Sequence, residues 1–349
     1  MMIANRYEPT GTTAAGGMGE IIECIDSHLQ RRVIIKRLHA GIEERRLIDE
    51  QKALAKLRSK HVVQLYDILD LSDGPKRDKA IVIEFIEGVD LDVGSFKVGL
   101  EYLNVLWQIA CGLRDIHQAG VIHRDIKPDN IRLDNEGVVK IIDFGLARSS
   151  DEAKTHSIIG TAIFMAPELW SDKTVSFDQS IDVYAFGVTC LALLSANVPT
   201  ELAHRPPQAI SLATLSASLV GLSSDLVVLI HACLATDPSK RPRMIDVQAL
   251  LARQLLKNQH RALVVMNGQA HLLDRNNRKI TLNAGAVGSL TIEYDGLDFN
   301  VSRSSGAIYL NNTPAQASDV VPGCCVITFG DGSNRRFVTF DVSHPEVMP

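Results

Sequence analysis

The segment His123-Arg124-Asp125-Ile126-Lys127-Pro128-Asp129-Asn130 is followed by Asp143-Phe144-Gly145, with one short apolar stretch, Ile131 to Ile142, between them. No other feature narrows the possible folds of this chain so far. The intervening stretch has the length of a hairpin, so the two polar segments become neighbouring loops. Together they gather three aspartates, an asparagine and a lysine. That inventory suits phosphoryl transfer: a carboxylate to accept the proton of an attacking hydroxyl, oxygen ligands for a hard divalent cation, and a cation to offset charge on the moving group.

The first forty residues add a second constraint. From Arg6 to Leu38 short apolar runs alternate with glycine, the pattern of a β-hairpin followed by a third strand. The hairpin would turn at Ala14-Ala15-Gly16-Gly17-Met18-Gly19-Glu20-Ile21, where glycine lets backbone N–H groups approach phosphate oxygens closely. Lys36 ends the apolar run Val33-Ile34-Ile35, a position where an unpaired ammonium is costly. A helix is expected from about Ile42 to Arg58, with Leu47, Leu54 and Leu57 on one face.

These motifs, in this order, resemble those of the eukaryotic-like (Hanks-type) serine/threonine protein kinases, from about residue 6 to about residue 257. The resemblance implies an α+β, bilobal kinase fold, residues 1–257, with a β-rich small lobe to about residue 88 and a helical large lobe over 89–257. It implies ATP and Mg²⁺ as cofactors and protein substrates with a serine or threonine acceptor. Asp125 would be the general base or orient the acceptor hydroxyl, and Lys127 would contact the γ-phosphate. Asn130 and Asp143 would hold Mg²⁺. Lys36 would meet the α and β phosphates and pair with Glu50 of the following helix. Gly16 and Gly19 match the family's glycine loop, with Ala14 in its first glycine position and Ile21 in its valine position. Ile83 would be the gatekeeper, the backbone of Glu84 and Ile86 would bond the adenine edge, and Asp90 would reach the ribose. Two residues depart from the pattern: Ile34 replaces the usual alanine above adenine, and Arg132 replaces the leucine or other apolar residue of the pocket floor, where its aliphatic stem can cover the ring.

The resemblance extends through the segment after Gly145. Thr155 and Ser157 are the expected autophosphorylation sites, where phosphate could pair with Arg124. Thr161 would bond both Asp125 and Lys127. Glu168, in Ala-Pro-Glu, matches the partner of Arg241 as a bidentate ion pair. Asp182 would accept backbone N–H bonds from the His-Arg-Asp turn. The lysine at 127 and the Ala-Pro-Glu segment argue against small-molecule phosphotransferases of related fold. A pseudokinase or scaffold that only binds partners is the alternative, and Ala14, Ile34 and Arg132 are the residues that favour it.

Beyond Asn258 the character changes to short strand-like runs separated by Asn-Gly, Asp-Gly and Asn-Asn turns, predicting a small all-β, sandwich-like domain over 258–349. Ser302-Arg303-Ser304-Ser305, with Asn311-Asn312 and Pro322-Gly323, faintly resembles a forkhead-associated domain, which implies docking of a partner or phosphoprotein. The usual histidine is replaced by Ser305. Net charge is −5, with 22% charged residues, so no nucleic-acid partner is expected. Residues 1–10 lack the apolar core of a signal peptide, and the run Val183 to Ala196 is too short to span a bilayer. The six cysteines contain no Cys-x-x-Cys pair, which fits a reducing cytoplasm. The Gly-Gly-Met-Gly loop and the insert-free layout point to a bacterial source.

Overall fold

The computed structural model describes residues 2–16, 19–38, 55, 57–71, 79–143, 162–170 and 178–343. Contacts divide the chain into two units, Met1–Ala249 and Leu250–Pro349.

The first unit begins with five antiparallel strands: β1 (Tyr7–Gly16), β2 (Gly19–Asp26), β3 (Arg31–Leu38), β4 (Leu65–Asp70) and β5 (Lys79–Glu84), in the order β1-β2-β3-β5-β4. Their period of two decides what each face carries. Val33 and Ile35 point into one core with Tyr7, Ile22, Cys24, Leu69, Ala80 and Val82. The alternate residues Ile34 and Lys36 occupy the other face, where register sets Lys36 opposite Ile21 on one side and Ile81 on the other. Each buried branched side chain of the core contributes about 1.5–3 kcal/mol. The helix expected over Ile42 to Arg58 falls mostly outside the described residues; Ala55 is helical, whereas Leu57 and Arg58 are not, so it stops short of the expected end.

A second sheet is made by β6 (Gly88–Asp90), β7 (Ile131–Asp134) and β8 (Val139–Ile141). Ile131, Val139 and Ile141 are fully buried, which orients the β7–β8 hairpin and the polar loops at its ends. The helix Leu100–Gln118 lies against it, and Gly112 permits the approach: a Cβ there would sit 2.8 Å from Ile141 Cδ1 and 2.9 Å from the His61 carbonyl. The helix Ser180–Leu194 is buried around almost its whole circumference, and its Thr189 hydroxyl donates to the Ala185 carbonyl at 2.8 Å. Helices Ser224–Cys233 and Met244–Leu255 follow, the former capped by the Ser223 hydroxyl. Among the described residues no helix is long and apolar enough to cross a membrane.

In the second unit, β9 (Ala262–Met266), β10 (Gln269–Leu273), β11 (Lys279–Asn283), β12 (Gly288–Tyr294), β13 (Phe299–Gly306), β14 (Ile308–Leu310), β15 (Thr313–Pro314), β16 (Cys325–Phe329) and β17 (Arg336–Val342) form two sheets. Their orders are β10-β9-β17-β16-β14-β15 and β11-β12-β13, and one apolar cluster that includes Val264, Leu290, Ile327 and Phe340 takes side chains from both. β13 starts only at Phe299, because the Asp295 carboxylate accepts the Leu297 and Asp298 N–H groups, both at 2.8 Å, and holds a turn there. Ser302, Arg303, Ser304 and Ser305 lie inside β13, where Arg303 pairs with Thr291 and Ser305 with Ser289.

Candidate phosphoryl-transfer site

The His123–Asn130 loop is fastened from below. Asp182, at the start of the helix Ser180–Leu194, is fully buried and accepts the backbone N–H of His123 at 2.9 Å and that of Arg124 at 2.8 Å. Nε2 of His117 lies 2.9 Å from the same carboxylate, as its donor. This grip holds Arg124 at φ 70, in the left-handed region where a side chain is strained by about 1–3 kcal/mol. His123 is also buried, and burial pushes its pKa below the ordinary value. The neutral ring donates from Nε2 to the Ile142 carbonyl at 3.0 Å and accepts the Asp125 N–H on Nδ1 at 3.3 Å. One imidazole therefore ties the loop carrying Asp125 to the end of β8.

Pro128–Asn130 forms a single 3₁₀ turn that brings Asn130 back beneath Asp125. The Asn130 amide donates to the Asp125 carbonyl at 2.7 Å and to its Oδ2 at 2.9 Å. Lys127 Nζ donates to the same Oδ2 at 3.0 Å. Asp125 thus has one oxygen engaged by both neighbours. The chain then crosses β7–β8, and the Ile142 N–H bonds the Asn130 carbonyl at 2.9 Å, so Asp143 emerges beside Asn130. Asp143 is itself left-handed, at φ 54, and its carboxylate binds the buried ammonium of Lys36 from β3. Residues 107 positions apart, Lys36 and Asp143, are thereby joined across the two parts of the unit.

The other sequence-predicted residues have partners of their own. Ala14, Gly16 and Gly19 lie at the closed end of the β1–β2 hairpin, where Gly16 pairs with Gly19 and Ala14 with Ile21. Ile34 pairs with Ile83 across β3–β5. Among the described residues the Ile86 N–H meets no acceptor. Glu84 sends its side chain to Lys140, at 3.0 and 3.1 Å, and Asp90 lies beside Arg132. Arg241 is bidentate on Glu168 at 2.7 and 2.8 Å and also donates to the carbonyls of Ala235 and Ser180. Glu50, Thr155, Ser157 and Thr161 lie outside the described residues. Sequence reasoning missed His117, Lys140 and the contact of Arg132 with Asp90; each depends on register or helix phase that no motif encodes.

The donors fit a hard divalent cation. The Asn130 amide nitrogen is committed to Asp125, which turns its carbonyl oxygen outward from that bond, and Asp143 adds a carboxylate. Two such donors suit a cation that takes its remaining ligands from phosphate and water.

A β-rich lobe, a helical lobe, and two lysines, two aspartates and an asparagine gathered between them define a protein of the nucleotide-dependent phosphotransferase class. The model of the protein kinase domain matches residues 7–258, and the chain belongs to that family. It is 34% identical over 216 residues to a probable serine/threonine-protein kinase, pknA2, of Bifidobacterium longum, covering 57% of this chain and 28% of that protein. It is 31% identical over 215 residues to the probable serine/threonine-protein kinase PknB of Corynebacterium glutamicum, covering 57% and 33%. Serine/threonine-protein kinase PknL of Mycobacterium tuberculosis is 34% identical over 210 residues, covering 57% and 51%. The chain therefore spans between about a quarter and a half of the length of these relatives. Membership of the family carries with it the use of ATP and a divalent metal.

Proposed function

We propose that this chain is a serine/threonine protein kinase that transfers the γ-phosphoryl group of ATP to protein hydroxyls, its own Thr155 or Ser157 among them. The observation that carries this reading is the junction of Lys36 with Asp143 beside an Asp125 already oriented by Lys127 and Asn130. Asp125 positions the acceptor hydroxyl and takes its proton. Lys127, within reach of the same carboxylate, offsets charge on the group in flight. Lys36 holds the nucleotide phosphates, with Glu50 as its second partner, and Asn130 and Asp143 hold Mg²⁺. ATP with its metal supplies the activated phosphoryl group; the protein supplies orientation and fixed charge. Gly16, Gly19, Ile21, Ile34, Ile83 and the backbone of Glu84 and Ile86 enclose the base and phosphates, and Thr161 keeps Asp125 and Lys127 in line.

The strand-rich unit is, in this reading, a sandwich-like accessory domain over 258–349 that docks a substrate or partner. A cytoplasmic setting suits the six cysteine thiols, five of them buried and none in a disulfide.

Incubation with Mg²⁺ and labelled ATP, followed by mass spectrometry, tests the proposal. Wild type is expected to carry phosphate on Thr155 or Ser157, while Asp125→Ala and Lys36→Ala lose transfer by at least about a hundredfold. Nucleotide-dependent thermal stabilisation with no transfer to the chain or to a generic acceptor protein would favour the pseudokinase reading instead.

A further inference from the structure

Arg132 and Lys140 stand directly opposite each other on the β7–β8 ribbon. Like charges so placed repel, and each calls for a counter-charge. Both counter-charges come from one short span, residues 84–90. Lys140 Nζ donates to both carboxylate oxygens of Glu84, at 3.0 and 3.1 Å. Asp90 Oδ1 lies 3.4 Å from Arg132 Nε, and Arg132 Nη2 donates to the Gly88 carbonyl at 2.6 Å. Arg132 Nε is buried and makes no hydrogen bond, so its hold on Asp90 is Coulombic rather than directional. The backbone reinforces the grip: Gly88 pairs with Asp134 and Asp90 with Arg132, and the Leu91 N–H donates to the Ile131 carbonyl at 2.9 Å. At position 88 the strands lie so close that a Cβ would overlap the Leu133 carbonyl oxygen.

We propose that Arg132 determines sugar specificity at the nucleotide site, by holding the Asp90 carboxylate that would otherwise recognise the ribose hydroxyls. With Lys140 it also pins the span 84–90 to the hairpin. The proposal rests on the kinase reading above, and it concerns a residue in which this chain departs from the family pattern. A carboxylate beside a guanidinium is a weaker acceptor for a neutral hydroxyl than a free one, because part of its charge is already compensated. The chain therefore distinguishes ATP from 2′-deoxy-ATP poorly. Because Asp90 is about half exposed, at 53%, added salt loosens its pairing and sharpens the discrimination.

Two measurements on the full chain test this. The first is the dissociation constants of ATP and 2′-deoxy-ATP, with Mg²⁺, for wild type, Arg132→Leu, Asp90→Ala and the double variant. Leucine is the family's usual residue at this place, so that variant keeps an apolar pocket floor. Wild type is expected to bind the two nucleotides within about threefold of each other, and Arg132→Leu to favour ATP by about tenfold or more, the worth of one hydrogen bond to a charged acceptor. Asp90→Ala should abolish that gain in the double variant and change the wild-type ratio less than about twofold. An unchanged ratio in Arg132→Leu overturns the specificity role. The second is amide hydrogen exchange over residues 84–91 in nucleotide-free protein, expected to quicken by about tenfold in Arg132→Leu; unchanged exchange overturns the pinning. If wild type binds neither nucleotide, the kinase reading falls and sugar specificity with it, whereas binding at an unaltered ratio removes the specificity alone.

Discussion

Asp26 illustrates how one side chain couples the small lobe to pH. It is 1% exposed and takes two hydrogen bonds from the Arg6 guanidinium, at 2.8 and 2.7 Å, and one from the His28 N–H at 3.1 Å. The Arg6 bonds hold its carboxyl down at about 2. An aspartate in the unfolded chain titrates near 4. The fold thus favours the ionised form, and this contribution is complete above pH ~4 and disappears as pH falls toward 2, where both states are protonated. Arg6→Ala is expected to lower the urea midpoint at pH 7, with the gap from wild type closing between about pH 4 and pH 2. A gap that stays constant over that interval would assign the loss to packing of the arginine stem. Sequence shows none of this, because Arg6 and Asp26 are brought together only by the β1–β2 register. Asp182 is different. Its place in Asp-Val-Tyr-Ala-Phe-Gly pointed to the bonds it makes with His123 and Arg124, since a repeated motif preserves such geometry even where burial is invisible.

At the scale of elements, Arg241 ties the loop after the helix Ser224–Cys233 to the Pro167–Trp170 turn and to the start of the helix Ser180–Leu194. Its side chain is fully buried while Glu168 remains 20% exposed. Removing one partner of a buried pair strands the other, which costs about 3–5 kcal/mol. Arg241→Ala is therefore expected to reduce stability by that amount in denaturant titration, and Glu168→Gln, which keeps one acceptor, by less. Equal losses would show that the charge of Glu168, rather than its hydrogen bonding, carries the attachment. Strands and helices were legible where periodicity was clean, as in Ala262–Met266 with its alternate burial. The strand Gln269–Leu273 was not, since only Leu273 among its residues is buried and its alternation is faint. Only the Asn267-Gly268 turn before it was readable; both residues have positive φ, 51 and 76, as a tight hairpin requires.

For the whole molecule, each unit buries apolar side chains of its own: the first around Val33, Ile35 and Val82 and along its helices, the second around Val264, Leu290 and Phe340. Scanning calorimetry is expected to resolve two transitions, of which ATP with Mg²⁺ raises only the one belonging to Met1–Ala249. At a hundredfold excess over the dissociation constant the stabilisation is about 2.7 kcal/mol. A common shift of all heat absorption would instead mean that the units unfold as one. The strand content of the second unit was readable from its turns, but its purpose was not, because a sheet face advertises a ligand only through side chains whose partners the sequence does not name.

The pairing of Ile34 with Ile83 across β3–β5 has a pharmacological consequence. On the proposed reading these two branched residues stand side by side in the nucleotide pocket, one above the base and one at its back. A compound shaped for an alanine above its ring meets three extra carbons here and loses contact, while one with a thinner or twisted ring is accommodated. Selectivity for this chain over kinases with the family's usual alanine there would thus be available from shape alone, without any polar group.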